Sequence, residues 1–200
     1  MSNDEALRER GERVIPGGMF GHMSVYRRMP PGYPQYMTRA EGCRLWDSDG
    51  NEYIDYMCSY GPMIAGYGNP RIRAAADAQR NRYDIGNAPA PVIVDLAEKF
   101  VAQVSHADWA IFAKNGNDAT TICLMCARAK TGNPVILLGE GAYHGSQPWA
   151  NRMAPGTPSA EHEHFGLYTF NDIESLEAAV DKASGKLAGI MVSAFKHDAG

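Results

Sequence analysis

Two short turns, each following an apolar segment, constrain the fold of this chain most strongly. The first covers 114–117, between a strand predicted over 109–113 and a helix predicted over 118–130. The second covers 139–145, after a strand predicted over 135–138. Because apolar strands alternate here with a helix, we expect an α/β domain with a mostly parallel sheet and right-handed crossovers.

The first turn has the chemistry of an anion site. The first backbone N–H groups of a helix have no intrahelical partner, and the helix dipole makes that end positive. Gly116 lets the backbone approach a ligand closely, and Asn115 and Asn117 carry amide donors. An Asn/Gly turn before a helix is also typical of an ordinary N-cap, so the turn alone leaves both interpretations open.

The second turn contains Tyr143-His144-Gly145, which would place a flat aromatic ring one strand away from the first turn. A phosphate site beside an aromatic platform is what a phosphorylated aromatic cofactor requires. We therefore expect Tyr143 and His144 to contribute to the same site as the turn at 115–117.

The remaining elements follow from periodicity and turn signals. Asp49-Gly50 lies between alternating apolar segments and predicts a hairpin of strands 43–47 and 52–56. Pro70 suits the first position of a helix. Asn171 and Glu174 resemble a capping box. Helices are predicted over 4–14, 71–83, 92–104 and 172–184, further strands over 167–170 and 187–195, and irregular structure over 19–40.

Composition and charge argue against several classes of protein. The chain has 200 residues, of which 44% are hydrophobic and 21% charged, as in an ordinary soluble globular protein. A net charge of −4 with mixed signs gives no electrostatic basis for binding nucleic acid or an anionic membrane. The sequence lacks an apolar run of membrane-spanning length and an apolar signal region, so we expect a cytoplasmic protein.

Cysteine and histidine spacings do not point to a metal. Cys123 and Cys126 lie three residues apart within the predicted helix 118–130, where we expect them to act as small buried apolar side chains. His162 and His164 follow a Pro-rich stretch and are expected on a solvated surface. No metal site is predicted.

Several motifs together resemble the class III, fold type I pyridoxal phosphate enzymes, with glutamate-1-semialdehyde aminomutases the most similar subgroup. IPGG at 15–18 resembles the opening of that family, and LWDSDGNEYIDY at 45–56 is a long and specific match. It continues through GPMI at 61–64 and GYGNP at 66–70. NGNDAT at 115–120 and YHG at 143–145 lie where the family has its phosphate turn and its ring-stacking motif.

The resemblance implies a pyridoxal 5′-phosphate enzyme that transfers an amino group, as an aminotransferase with an amino donor and a keto acceptor or as an aminomutase. It implies a homodimer with sites at the subunit interface. It also implies an N-terminal segment over 1–70, with a hairpin and a substrate-site loop, and the first part of a large cofactor domain over 71–200. Asn115, Gly116 and Asn117 would hold the phosphate, and Tyr143 would stack on the ring.

For the substrate, the resemblance implies contact with Tyr60, where the aminomutases have an aromatic residue. The loop after IPGG differs from the aminomutase loop that carries a substrate-binding Arg, and Arg27, with Arg28, is the candidate for that role. The hydroxyl residues usual in the phosphate turn are Asn here, and the family's Glu-Pro is replaced by Ser193-Ala194. These departures bear on the substrate rather than on the cofactor.

The Schiff-base lysine of the family has no counterpart among the six lysines, none of which has the matching context. We therefore expect no catalytic residue within 1–200 and a continuation of the chain that supplies the lysine. One alternative is a truncated, inactive homologue that binds cofactor or pairs with a full-length subunit. A second is a dinucleotide site at Gly139, Gly141 and Gly145 with Glu161, although the third glycine is one place late and prolines follow where a helix should run.

Overall fold

A computed structural model of the protein describes residues 1–18, 30, 32–152 and 155–194. Its contacts divide the chain into two compact units, Met1–Asp95 and Leu96–Gly200. No helix in the described ranges is both long enough and apolar enough to span a bilayer.

The first unit begins with helix α1 (Asn3–Val14), which the sequence predicted within one residue. Ser2 caps it, and Ser2 and Glu5 form a reciprocal capping box. The Asp49 carboxylate accepts hydrogen bonds from the N–H groups of Asn3 and Asp4, at 2.7 and 3.1 Å. These interactions satisfy donors that the start of a helix otherwise leaves free, and they fix α1 to the hairpin turn.

A three-stranded antiparallel sheet follows, in the order β1 (Met37–Glu41), β2 (Arg44–Asp47) and β3 (Glu52–Ile54). The Asp-Gly hairpin prediction is confirmed. The buried Asp47 carboxylate organises the turn, since it accepts hydrogen bonds from the backbone N–H groups of Asp49 and Asn51. The prediction of irregular structure up to residue 40 is wrong at its end, because Met37–Glu41 pairs with β2 across a bulge.

The rest of this unit leads from the sheet into helix α2 (Pro70–Arg80). Pro70 occupies the first turn as predicted, and the Asn69 side chain caps the helix. Between the sheet and α2, the short 3-10 segment Cys58–Tyr60 has left-handed backbone angles, with φ of 47, 50 and 63°. Helix α3 (Val92–Gln103) contains the boundary between the two units.

The second unit is an α/β layer built on a parallel sheet. Its strands are ordered β5 (Phe165–Tyr168), β4 (Val135–Gly139), β6 (Leu187–Met191). Helix α4 (Gly116–Thr131) precedes β4, and helix α5 (Ile173–Lys182) lies in the crossover from β5 to β6. Both strand pairs are parallel. The core is formed by Leu124, Ile136, Leu138 and Trp149. The predicted α/β fold with a parallel sheet is confirmed.

Three predictions in this unit need correction. Residues 109–113 are not a strand, because none of the described strands pairs with them, and their large side chains are exposed. The cap of α5 is Asp172, whose carboxylate accepts from the N–H of Ser175, whereas Asn171 adopts a left-handed conformation before it. Strand β6 ends at Met191, four residues earlier than predicted.

Candidate functional site

The first turn of α4 lies at the centre of the candidate site. Asn115 is the N-cap, and its side-chain oxygen accepts a hydrogen bond from the N–H of Asp118 at 3.0 Å. The N–H groups of Gly116 and Asn117 have no hydrogen-bond partner among the described residues. Nothing lies within 4 Å of the position that a Cβ of Gly116 would take. The turn therefore presents two free donors to an open space at the positive end of a 16-residue helix.

The loop 143–147 is joined directly to this turn. The Asn117 side-chain oxygen accepts hydrogen bonds from the backbone N–H groups of Ser146, at 2.6 Å, and Gln147, at 3.0 Å. The Thr120 hydroxyl lies 3.0 Å from the carbonyl of Asn117 and 3.2 Å from that of His144, within donating distance of both. The turn at 115–117 and the Tyr143-His144-Gly145 motif are therefore adjacent. The sequence analysis expected this, because it assigned both motifs to one site.

The turn at 115–117 and the loop 143–147 line an open cleft of about 430 Å³. Tyr143 lies on its wall and is 73% exposed, so a face of the ring is accessible. The cleft is lined by Asn115, Gly116, Asn117, Thr120, Tyr143, His144, Gly145, Ser146 and Gln147. No lysine belongs to this lining in the described part of the chain.

Two polar atoms of the cleft residues, the Asn117 side-chain nitrogen and His144 Nε2, are buried and have no hydrogen-bond partner among the described residues. Burial lowers the pKa of the His144 imidazole, because desolvation penalises its charged form. The lowered pKa favours the neutral form of His144. This form adds no positive charge to an anion site.

Thr121 and Trp149 support the turn through hydrogen bonds. The hydroxyl of Thr121 donates to the Asn117 carbonyl at 2.9 Å, and its oxygen accepts from Trp149 Nε1 at 3.2 Å. The indole of Trp149 stacks on Phe165, with the ring centroids 5.6 Å apart. The first turn of α4 is thus connected to the hydrophobic core.

The sequence identified the turn residues and Tyr143 but missed the residues that join them. The loop is joined through the backbone N–H groups of Ser146 and Gln147, and the turn is supported by the hydroxyl of Thr121. None of these positions belonged to a recognised motif. Thr120, which also contacts the loop, belonged to the family motif NGNDAT at 115–120. Hydrogen bonds between residues about thirty positions apart have no local sequence signal.

The predicted substrate-binding residues are Tyr60 and Arg27, with Arg28. Tyr60 belongs to the first unit, where it is 78% exposed at the end of the left-handed segment Cys58–Tyr60. Arg27 and Arg28 lie outside the described residues.

The expectation that Cys123 and Cys126 are buried is wrong, because both lie on an exposed face of α4 beside the inward-facing Leu124. His164 is exposed as expected, whereas His162 is half-buried and its Nε2 lies 2.9 Å from the Pro148 carbonyl. No group of three metal-ligating side chains occurs in the described ranges.

The dinucleotide alternative finds no support after β4. A dinucleotide turn needs a helix that begins directly after the glycines. Residues 140–152 instead form turns and loop, without an α-helix.

Comparison with known proteins assigns the family. The family model for class III aminotransferases matches residues 27–194, which is most of the chain. The chain belongs to the class III aminotransferases. The cleft described above therefore lies in a class III aminotransferase sequence, between the two motifs that resembled this family.

Two curated relatives match nearly all of the chain. An aminopentol aminotransferase from Sphingopyxis macrogoltabida is 49% identical over 192 residues, 96% of this chain and 45% of its own length. A glutamate-1-semialdehyde 2,1-aminomutase from Leptothrix cholodnii is 32% identical, covering 96% of this chain and 46% of its own length. The chain spans slightly less than half the length of these relatives.

A solved structure agrees with the fold. The FumI protein of Sphingopyxis sp. MTA144, in its PLP internal aldimine form, is 48% identical and superposes with a TM-score of 0.92. The match covers 97% of this chain and 47% of that one. The fold is thus the fold type I transaminase fold that the sequence predicted, over the part of the relative that the chain covers.

Proposed function

We propose that the whole protein transfers an amino group with the help of pyridoxal 5′-phosphate. The observation that carries this proposal is the cleft that Gly116 and Asn117, whose N–H groups have no partner among the described residues, line together with Tyr143. Pyridoxal phosphate, when bound, supplies an aldehyde for the amino group and a ring that accepts electrons. The residues described here bind and orient that group.

The phosphate fits the first turn of α4. Gly116 and Asn117 would each donate a backbone hydrogen bond, and the open space above Gly116 leaves room for the phosphate oxygens. Asn115 would contribute mainly by fixing the turn, because its side-chain oxygen caps α4. The sequence-based assignment of Asn115, Gly116 and Asn117 to the phosphate is kept in this form: Gly116 and Asn117 would bind it through their backbone, and Asn115 would hold the turn in place.

The ring of the cofactor would lie on Tyr143, whose exposed face lines the same cleft. Aromatic rings stack in offset geometry with a gain of about 0.5–1.5 kcal/mol beyond area burial. His144 would border the ring as a neutral side chain. It would therefore contribute to the shape of the site without a positive charge that attracts the phosphate.

The lysine that binds the aldehyde is proposed to lie outside residues 1–200. None of the lysines within the described ranges lines the cleft, and Lys196 falls outside those ranges. The curated relatives are about twice as long as this chain, which leaves room for such a lysine. The chain's own contribution would be to binding and orientation.

For the reaction, we favour transfer from an amine donor to a keto acid over migration within one substrate. Over the aligned residues the aminotransferase relative is 49% identical to the chain, compared with 32% for the aminomutase. An aminopentol is an amine that carries several hydroxyl groups, and we propose a donor of this polyhydroxylated kind. Tyr60 and Arg27 would contact the substrate, as the family resemblance implies.

Two further proposals concern the working state. A homodimer would complete the site at the subunit interface, as the family resemblance implies. A reducing cytoplasm suits the four cysteines, all of which are free thiols.

The experiment is an amino-transfer assay on the purified whole protein supplied with pyridoxal 5′-phosphate. An amino polyol and a keto acid are expected to give the amino acid of the keto acid, together with visible absorbance that borohydride removes. Formation of 5-aminolevulinate from glutamate-1-semialdehyde would instead support the aminomutase reaction. A protein that takes up no cofactor and transfers no amino group would contradict the proposal.

A further inference from the structure

We propose that the Asn117 side chain is a positioning residue that joins the phosphate end of the cleft to its ring end, and that it does not bind the phosphate. This inference rests on the proposed function, because it assigns the ends of the cleft to parts of one cofactor. It replaces the expectation that the amide of Asn117 donates to phosphate. The backbone N–H of Asn117 keeps that role.

The contacts of the amide oxygen carry the first step. It accepts from the backbone N–H of Ser146 at 2.6 Å and from that of Gln147 at 3.0 Å. The reversed amide would point its N–H groups at these two backbone donors, so the oxygen must face the loop. Both accepting directions of the oxygen are therefore used by the loop that carries Tyr143.

The amide nitrogen carries the second step. It is buried and has no hydrogen-bond partner among the described residues. A donor without accessible surface cannot reach a ligand in the cleft unless the amide turns, and turning would break both bonds to the loop. A phosphate at this turn is therefore left to the backbone donors of Gly116 and Asn117.

Gly145 shows that the loop is built around this contact. A Cβ at Gly145 would lie 2.1 Å from the Asn117 side-chain oxygen and 2.4 Å from its Cγ, far inside van der Waals contact. Gly145 also has a φ of 124°, in the region that favours glycine. Asn117 and Gly145 therefore form one joint, and the joint fixes the distance between the first turn of α4 and the Tyr143 ring.

The test compares variants of the whole protein by amide hydrogen exchange and by cofactor binding. Asn117→Ala removes the acceptor, and Asn117→Asp keeps two acceptor oxygens. In the cofactor-free protein, Asn117→Ala is expected to speed exchange at the N–H groups of Ser146 and Gln147 at least tenfold, whereas Asn117→Asp is expected to preserve most of the protection. Leu124 and its neighbours in α4 serve as the internal reference for global unfolding.

Binding separates the positioning role from a phosphate-ligand role. Pyridoxal 5′-phosphate and pyridoxal, which lacks the phosphate, are titrated into wild type and Asn117→Ala. A positioning residue weakens the binding of both compounds by about the same factor, of order tenfold for two lost hydrogen bonds. The double variant Asn117→Ala/Tyr143→Ala should bind no more weakly than Tyr143→Ala, because the joint acts through the ring.

Two results would overturn the inference. One is unchanged exchange at Ser146 and Gln147 in Asn117→Ala. The other is weakened binding of pyridoxal 5′-phosphate with unchanged binding of pyridoxal, which would make the side chain a phosphate ligand. A wild-type protein that binds neither compound would contradict the proposed function, and the exchange measurement would still decide whether the joint exists.

Discussion

The pKa of His144 connects one buried side chain to the pH dependence of stability. Burial lowers this pKa in the folded state relative to the unfolded chain, where the ordinary value is 6.5. Well above that pH the imidazole is neutral in both the folded and the unfolded state, so His144 does not change the free energy of unfolding. As the pH falls below it, the unfolded chain binds the proton more readily, so the free energy of unfolding decreases.

We therefore expect the free energy of unfolding to decrease less between pH 7.5 and pH 5.5 in His144→Gln than in wild type. Denaturant unfolding at several pH values measures it, and the same substitution at the exposed His164 controls for loss of an imidazole. Identical pH slopes for wild type and His144→Gln would contradict the expectation.

Gly145 provides a second test at the residue scale, because two costs coincide there. Alanine at a left-handed position costs about 1–2 kcal/mol. At Gly145 the new Cβ would also overlap the Asn117 side chain, which two hydrogen bonds hold in place. Overpacking of this kind typically adds about 1–3 kcal/mol.

The matched control is Gly156→Ala, since Gly156 has a φ of 85° but nothing within 4 Å of the Cβ position. Thermal unfolding should show Gly145→Ala to be the more destabilised variant by about 1–3 kcal/mol. Equal losses for the two variants would mean that the overlap is relieved without cost.

At the scale of elements, Asp4 holds α1 against the segment before β1. Its buried carboxylate accepts from the N–H groups of Gln35 and Tyr36, at 2.8 and 2.9 Å, and from Arg8. Burial alone would raise the pKa of Asp4, but these hydrogen bonds and the Arg8 charge together lower it. The stabilisation is complete above the ordinary pKa of 3.8 and is lost as the pH falls through the lowered value.

Asp4→Ala is expected to destabilise the protein by about 1–3 kcal/mol at neutral pH, because two backbone donors lose their acceptor. Glu9→Ala is the control, since Glu9 is an exposed acid on the same helix. Chemical denaturation gives both values. A loss for Asp4→Ala no larger than that for Glu9→Ala would contradict the role of the carboxylate.

Local patterns explain which elements were predictable. The hairpin, α1 and α2 carry their own turn and cap signals, and β4 is a short apolar run between turns. The failures depend on distant partners. Strand β1 exists because it pairs with β2, and residues 109–113 are apolar but have no described strand beside them.

The same distinction applies to the site. Asn115, Gly116, Asn117 and Tyr143 were found from turn chemistry and from the family resemblance. The contacts of Asn117 with Ser146 and Gln147 were not, because they depend on how β4 returns the chain to the start of α4. The burial of Cys123 and Cys126 was mispredicted for a related reason: helix periodicity does not reveal which face of α4 meets the sheet.

At the scale of the whole molecule, the proposed homodimer is directly testable. Light scattering on the purified whole protein is expected to give twice the mass of one chain, because the site is proposed to be completed at the subunit interface. Activity that persists after dilution into a monomeric state would contradict this expectation.

The phosphate of the cofactor is proposed to bind at the first turn of α4. A crystal structure of the whole protein with pyridoxal 5′-phosphate measures this directly. Phosphate oxygens are expected about 3 Å from the backbone nitrogens of Gly116 and Asn117, with the pyridine ring against Tyr143 and the Asn117 side chain still bonded to the loop. Phosphate bound away from this turn, or a ring that does not contact Tyr143, would contradict this proposal.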